Sequence, residues 1–208
     1  MLGQFKRLLF ICSISMLGVF SQSGNAQQQV ALFEQFKVTD EWSEKQLLAT
    51  QLLSTQLSNQ QQVAIYSGLA ERAFELSNYP QALHYYQLLE QHSTFENLPE
   101  LHFRAIKMQG VVQYFQGLLQ QAIIDYSRAL NLAVRLKSPL KQANLLSNIG
   151  LAYFNMHNME LALDHYQQAK ALYEIDGSAQ DKADILHNIV GIYIRLSSYD
   201  SALEIYRE

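Results

Sequence analysis

Asp164 and His165 are adjacent, and a carboxylate beside an imidazole is the pairing that a general base needs. Consecutive residues of a helix, however, point about 100° apart, so these two side chains do not face each other. The chain has six histidines, but none forms an i, i+4 pair with a carboxylate as third ligand, the spacing that holds zinc on a helix. There is no glycine-rich phosphate loop, no H-E-x-x-H and no G-x-S-x-G. The expectation is no catalytic residue, no cofactor site and no metal site. Tyr86, Tyr126, Tyr166 and Tyr206 invite a ligand-cage reading, but they recur every 40 residues. Recurrence of that kind points to packing.

The elements that would hold these residues follow the same period. Ala82, Ala122, Ala162 and Ala202 lie 40 apart, as do Leu83, Ile123, Leu163 and Leu203. Ala70, Gly110, Gly150 and Val190 form a small column, and Phe74, Tyr114, Phe154 and Ile194 a bulky one. Within the third copy, Leu146, Ile149, Gly150, Tyr153 and Phe154 fall at i, i+3, i+4, i+7 and i+8, one apolar face of a helix. His157-Asn158 interrupts that face, and Leu161, Ala162, Tyr166, Ala169 and Leu172 begin another. Each copy therefore reads as two helices. The spacing predicts helices near 62–77, 80–92, 98–116, 118–136, 139–156, 159–174, 179–196 and 199–208, with one more around 41–58. Ser138 before Pro139 is a capping hydroxyl ahead of a first-turn proline. Gly177-Ser178 with Asp181 reads as a helix stop followed by a capping box. Antiparallel helices approach to about 8–10 Å where one side chain is small, so the alanine and glycine columns mark close approaches and the tyrosines fill the space beside them.

Asn148-Ile149-Gly150, Tyr153, Ala162, Tyr166 and Ala169 carry a family resemblance: in this order they look like a tetratricopeptide repeat. The resemblance covers roughly 63–208, cut as 63–102, 103–142, 143–182 and an incomplete 183–208. The usual unit is about 34 residues; the additional six fall before each first helix, where Pro99 and Pro139 sit, so that helix is expected to be lengthened by over one turn. Repeat one departs most, with Ala73 and Leu89 in place of an aromatic and an alanine, so it is expected to end the stack, covered by a helical segment at 27–62. The fold implied is all-α, a right-handed superhelix of stacked antiparallel helix pairs.

In this family the first helices line a concave face where peptides or protein segments bind. Carried over by position, that face presents Arg104, Lys107 and Tyr114, then Asn144, Asn148, Leu151 and Asn155, then Asp184, His187, Asn188 and Arg195. Asparagine carboxamides offer both a donor and an acceptor to an extended backbone, which singles out Asn148 and Asn188. Alternatively, both carboxamides bond to the backbone of a neighbouring helix. Members that hold a C-terminal carboxylate use Lys or Arg with Asn on these helices. The matching positions here are Ala64/Gly68, Arg104/Met108, Asn144/Asn148 and Asp184/Asn188, which lack that cationic clamp. The groove reads as polar and near neutral.

The N-terminus has its own layout. Lys6 and Arg7 precede a mostly apolar run from Leu8 to Phe20, and Gly24-Asn25-Ala26 puts small residues where a leader peptidase cuts. Residues 1–26 are expected to be a cleaved signal peptide of an exported, periplasmic protein, or else an anchor. Cleavage takes Lys6 and Arg7 and no acidic residue from the 15 basic and 19 acidic, leaving 13 against 19 and a formal charge of −6. A surplus of carboxylates argues against nucleic acid as a partner. The only cysteine, Cys12, leaves with the leader, so the mature chain has neither disulfide nor thiol chemistry. The functional expectation is a non-enzymatic module that binds a protein or peptide segment. Its rival is the periplasmic sensor region of a longer signalling enzyme, a diguanylate cyclase or histidine kinase. The stop at Glu208, inside a second helix, would suit either a longer protein or a frayed end.

Overall fold

The computed structural model describes residues 26–94, 96–205 and 207. The expected signal peptide, with Cys12, lies outside these residues apart from Ala26. So does Tyr206. The described residues divide into two compact units, one up to Leu69 and the other from Ala70.

The chain is all-α. Helix α1 covers residues 26–38, α2 Trp42–Leu53, α3 Asn59–Glu75, α4 Tyr79–His92, α5 Pro99–Phe115, α6 Leu119–Arg135, α7 Pro139–Asn155, α8 Met159–Asp176, α9 Ala179–Arg195 and α10 Tyr199–Ile205. First helices start at Asn59, Pro99, Pro139 and Ala179, and second helices at Tyr79, Leu119, Met159 and Tyr199. Both series keep the 40-residue period, so the repeat is one of structure as well as sequence. The starts lie slightly ahead of the expected repeat boundaries, which cut through the first helices. The first helices α3, α5, α7 and α9 are each 17 residues long.

Each pair turns in the same way. Ser77, Gly117, His157 and Ser197 all take a left-handed φ, between 57° and 76°. At Gly117 the following N–H, of Leu118, reaches back to the Gln113 carbonyl at 2.9 Å, while the Gly117 N–H takes that of Tyr114 at 3.0 Å. Ser77-Asn78, His157-Asn158 and Ser197-Ser198 make the equivalent two bonds. This is the Schellman closure, which satisfies carbonyls that a helix end leaves open. The next residue then caps the following helix where its side chain allows: the Leu161 N–H donates to Asn158 Oδ1 at 3.2 Å. Ser138 caps α7 ahead of Pro139, and Ser178 and Asp181 form the reciprocal capping box of α9, as expected. Gly177 stops α8 in an extended conformation, φ −85° and ψ 145°, rather than the left-handed one.

The small columns sit where helices touch. Ala82, Ala122 and Ala162 are fully buried, and the rings of Tyr86, Tyr126 and Tyr166 almost so. A Cβ added at Gly110 would lie 2.7 Å from the Tyr126 ring, and one at Gly150 the same distance from Tyr166. One repeat departs from the apolar pattern. Where other copies place Leu69, Ile149 and Ile189, α5 has a buried Gln109, whose Nε2 donates to Glu90 Oε2 at 2.6 Å. Glu90 also pairs with Arg128, and Arg128 donates to the buried Asp125 at 2.8 Å.

In the first unit, the Phe36 ring and the Lys45 stem cover Gly68 of α3, at 3.1 and 3.7 Å from the position of a Cβ. Lys45 is buried, and its ammonium donates to the carbonyls of Phe36 and Thr39 at 3.1 and 2.8 Å, closing the C-terminal end of α1. The stretch expected as a helical segment at 27–62 holds two helices, α1 and α2, the second of which ends at Leu53.

Candidate functional site

The first helices of the second unit adjoin one another. Lys141 of α7 pairs with Glu100 of α5 at 3.1 Å and lies over the Phe103 ring. Helices α7 and α9 touch, and between them opens a cavity of about 400 Å³ lined by Asn144, Ser147, Tyr173, Asp181, Asp184, Ile185, His187 and Asn188. Four of the sequence-predicted residues meet there: Asn144, Asp184, His187 and Asn188. The 40-residue period explains the meeting. Asn144 and Asp184 hold one register position on successive helices, and Ser147 and His187 hold the next.

The cavity is polar and anionic. Tyr173 donates from its hydroxyl to Asn144 Oδ1 at 2.6 Å, leaving the Asn144 amide hydrogens to face outward demand. Burial pushes the Tyr173 phenol up to about 12, and the carboxylates of Asp181 and Asp184 add to the rise. Asp181 is held below the usual carboxylate range by the Ser178 hydroxyl and backbone N–H that it accepts. Asp184 accepts from Gln180 Nε2 at 2.7 Å. The half-buried carboxamides of Asn148 and Asn188 make no hydrogen bond with any described residue. Neither bonds to a neighbouring helix backbone, so the alternative considered for them is not what the fold does. Leu151 packs partly buried against the core of repeats three and four.

The remaining candidates separate from that cavity. Tyr114 and Asn155 bond to each other, Asn155 Nδ2 donating to the phenol oxygen at 2.6 Å. The Arg195 guanidinium lies 4.6 Å from the centre of the Phe154 ring. These two contacts tie the C-terminal ends of α5, α7 and α9 in sequence. At the other end of the series, Arg104 pairs with Glu71 at 2.7 Å, and Lys107 is half-buried beside it.

Sequence reasoning missed Ser147, Tyr173, Asp181 and Ile185. Tyr173 had a signal: its column in the other copies is Ser93 and Ala133, both buried and small. A large phenol where the repeat has small residues marks a place where the repeat has been altered. Asp181 was seen, but only as a cap.

The Asp164–His165 pair does not form a dyad. His165 Nδ1 lies 2.8 Å from the Leu161 carbonyl and 4.0 Å from the Asp164 carboxylate. No group of three potential metal ligands occurs among the described residues. None of the described helices is long and apolar enough to cross a membrane.

The model of the tetratricopeptide repeat matches residues 101–174 and 141–208, which together span half of the chain. The chain belongs to the tetratricopeptide repeat family. A comparison with curated protein sequences gives no match. Among solved structures, BtubC (BKLC) from P. vanneervenii is similar with a TM-score of 0.70 and 17% identity, over 88% of this chain and 80% of that one. The apo form of RapI is similar with a TM-score of 0.74 and 12% identity, over 86% and 68%. A Rap protein complexed with Competence and Sporulation Factor has a TM-score of 0.62 and 14% identity, over 89% and 50%. At these identities the likeness is one of fold.

Proposed function

We propose that this tetratricopeptide repeat protein is a non-enzymatic interaction module that holds an extended protein segment along the first helices of its second unit. One observation carries the reading. Asn148 and Asn188, equivalent residues on adjoining helices, have carboxamides that bond to no described residue. Half-buried amides at a repeated spacing suit a ligand whose own donors and acceptors repeat, and an extended backbone is such a ligand. The helices that present them are preformed, so the cost of ordering falls on the ligand alone. Membership of an interaction-repeat family supports the same conclusion, as does the solved complex of a Rap protein with Competence and Sporulation Factor.

The test compares wild type with Asn148→Ala/Asn188→Ala, each immobilised and exposed to a native extract. Proteins held by wild type should be lost from the double variant and kept by a control changed at the exposed Gln120 of α6. Equal recovery from both variants would place the interaction elsewhere. The basic, apolar and small-residue layout of residues 1–26 supports work outside the cytoplasm. Fractionation and N-terminal sequencing test that location: a mature end at Gln27 is expected, and an intact Met1 would make the segment an anchor.

A further inference from the structure

Along the first helices the side chains at one register position change sign. Arg104, Asn144 and Asp184 run from cation through amide to carboxylate on α5, α7 and α9, and Lys107, Ser147 and His187 hold the adjoining position. At the cationic end Arg104 is paired with Glu71, and Lys107 is the charge left over. On α5, Lys107 has no ion pair or hydrogen bond with any described residue. Burial, together with the positive charges of Arg104 and Lys141, holds its ammonium below the ordinary lysine range. Arg104 and Lys141 themselves pair with Glu71 and Glu100.

On α9 the sign is opposite. Asp181 and Asp184 line the α7–α9 cavity, and neither has an ion pair among the described residues. The cation adjacent in sequence, Lys182, is turned to Glu174 at 2.9 Å. Ile185 and the Tyr173 ring give the same cavity apolar walls, which suits the methylene stem of a long cationic side chain whose head stays at the carboxylates.

We propose that this groove is charge-graded: it takes an extended protein segment with an acidic side chain over Lys107 and a basic side chain in the α7–α9 cavity. The inference rests on the groove reading above and names the partner's chemistry. Two helix spacings of about 8–10 Å each separate the poles, which five or six extended residues span at about 3.3 Å apiece. That separation exceeds the reach of most small metabolites, and the carboxylate pole repels a nucleic-acid backbone. Between the poles, Asn144, Ser147 and Asn148 offer neutral hydrogen-bonding groups to the segment's backbone.

The test uses the full chain and three labelled ten-residue peptides of alanine and glutamine with blocked ends, followed by fluorescence anisotropy at low salt. One peptide carries two glutamates near its N-terminus and two arginines near its C-terminus. The second has the reverse order, and the third is uncharged. The groove has a direction, so wild type should prefer one charged order over the other by roughly five-fold or more, a difference of about 1 kcal/mol. The preference should fade as salt rises. Lys107→Glu/Asp184→Lys should invert it. Should that variant unfold, Lys107→Gln and Asp184→Asn each should reduce it to about two-fold or less. Equal binding of both orders, an unchanged preference in the variants, or no binding of any peptide would overturn the grading. Binding of all three peptides alike, abolished by Asn148→Ala/Asn188→Ala, would overturn the grading and leave the groove reading standing. Capture from extract that survives the asparagine changes would fail the groove reading itself.

Discussion

Gly150 and Tyr166 are in contact through the absence of a side chain: a Cβ at Gly150 would lie 2.7 Å from two ring carbons of Tyr166 and 3.2 Å from the Ala162 carbonyl. Gly110 stands in the same relation to Tyr126 and Ala122. Glycine inside a helix ordinarily costs about 0.5–1 kcal/mol relative to alanine, so Gly→Ala at an uncrowded site would stabilise. Here the sign reverses. Gly150→Ala and Gly110→Ala should each destabilise by about 1–3 kcal/mol through overpacking, read as a lower urea midpoint. Ala162→Leu, at a fully buried position of the same contact, should do likewise. A rise in stability on Gly150→Ala would contradict the packing described.

Gly117 separates backbone strain from packing. Its φ is +76°, and no atom lies within 4 Å of an added Cβ. Gly117→Ala should therefore cost about 1–2 kcal/mol through the left-handed conformation alone. His157 holds the equivalent position at φ 60°, so His157→Gly should relieve part of that strain and raise stability by about 0.5–1 kcal/mol, less the entropy that glycine loses. Opposite shifts in paired denaturation curves are the expected result; shifts of one sign would mean that the turns are not equivalent.

Lys45 closes the end of α1 from inside the first unit, with 7% of its surface exposed and two carbonyls on its ammonium. Lys45→Met keeps the stem that packs on Gly68 and deletes the donors. The carbonyls of Phe36 and Thr39 would lose their charged partner, at a cost of about 1–3 kcal/mol. Hydrogen exchange should quicken in residues 30–38 and stay as it was in α7. Unchanged exchange in that segment would show the ammonium to be dispensable.

Alkaline pH should unfold the protein through its buried phenols. Burial pushes Tyr86 up to about 12, with the Glu71 carboxylate adding to the rise, and Tyr173 also reaches about 12. Burial raises Tyr126 and Tyr166 as well. Below about pH 10 a tyrosine is protonated in both the folded and the unfolded chain, and the stabilisation is fully present. Above that value the unfolded chain ionises first, so stability falls as pH rises through the folded values. The denaturation midpoint should decline steadily from pH 10 to 12, and tyrosinate absorbance should lag behind that of the unfolded chain. Tyr173→Phe should remove part of the slope. A midpoint flat over that range would mean that these phenols are open to solvent.

Most of the fold was legible because its code is local and repeated. Ala122 and Ala162, Gly110 and Gly150, and Tyr126 and Tyr166 each state one contact, and three or four copies raise that statement above chance. The turn and capping residues, Gly117, Asn158, Ser138 and Ser178 with Asp181, act within five residues of where they stand. A chain carrying these patterns has its helices, their order and their close approaches decided by 3.6-residue periodicity and short-range hydrogen bonding.

Three-dimensional packing decided the rest. Asn144 and Tyr173 are 29 residues apart, and nothing local to either announces the 2.6 Å bond between them. Packing also joins Tyr114 to Asn155, turns Arg195 onto Phe154, and leaves Asn148, Asn188 and Lys107 without a described partner. Repetition specifies the contacts that every copy shares, whereas the site is made of residues in which copies differ. Which of those differing side chains satisfy one another depends on distances between helices, and only the stacked structure sets them.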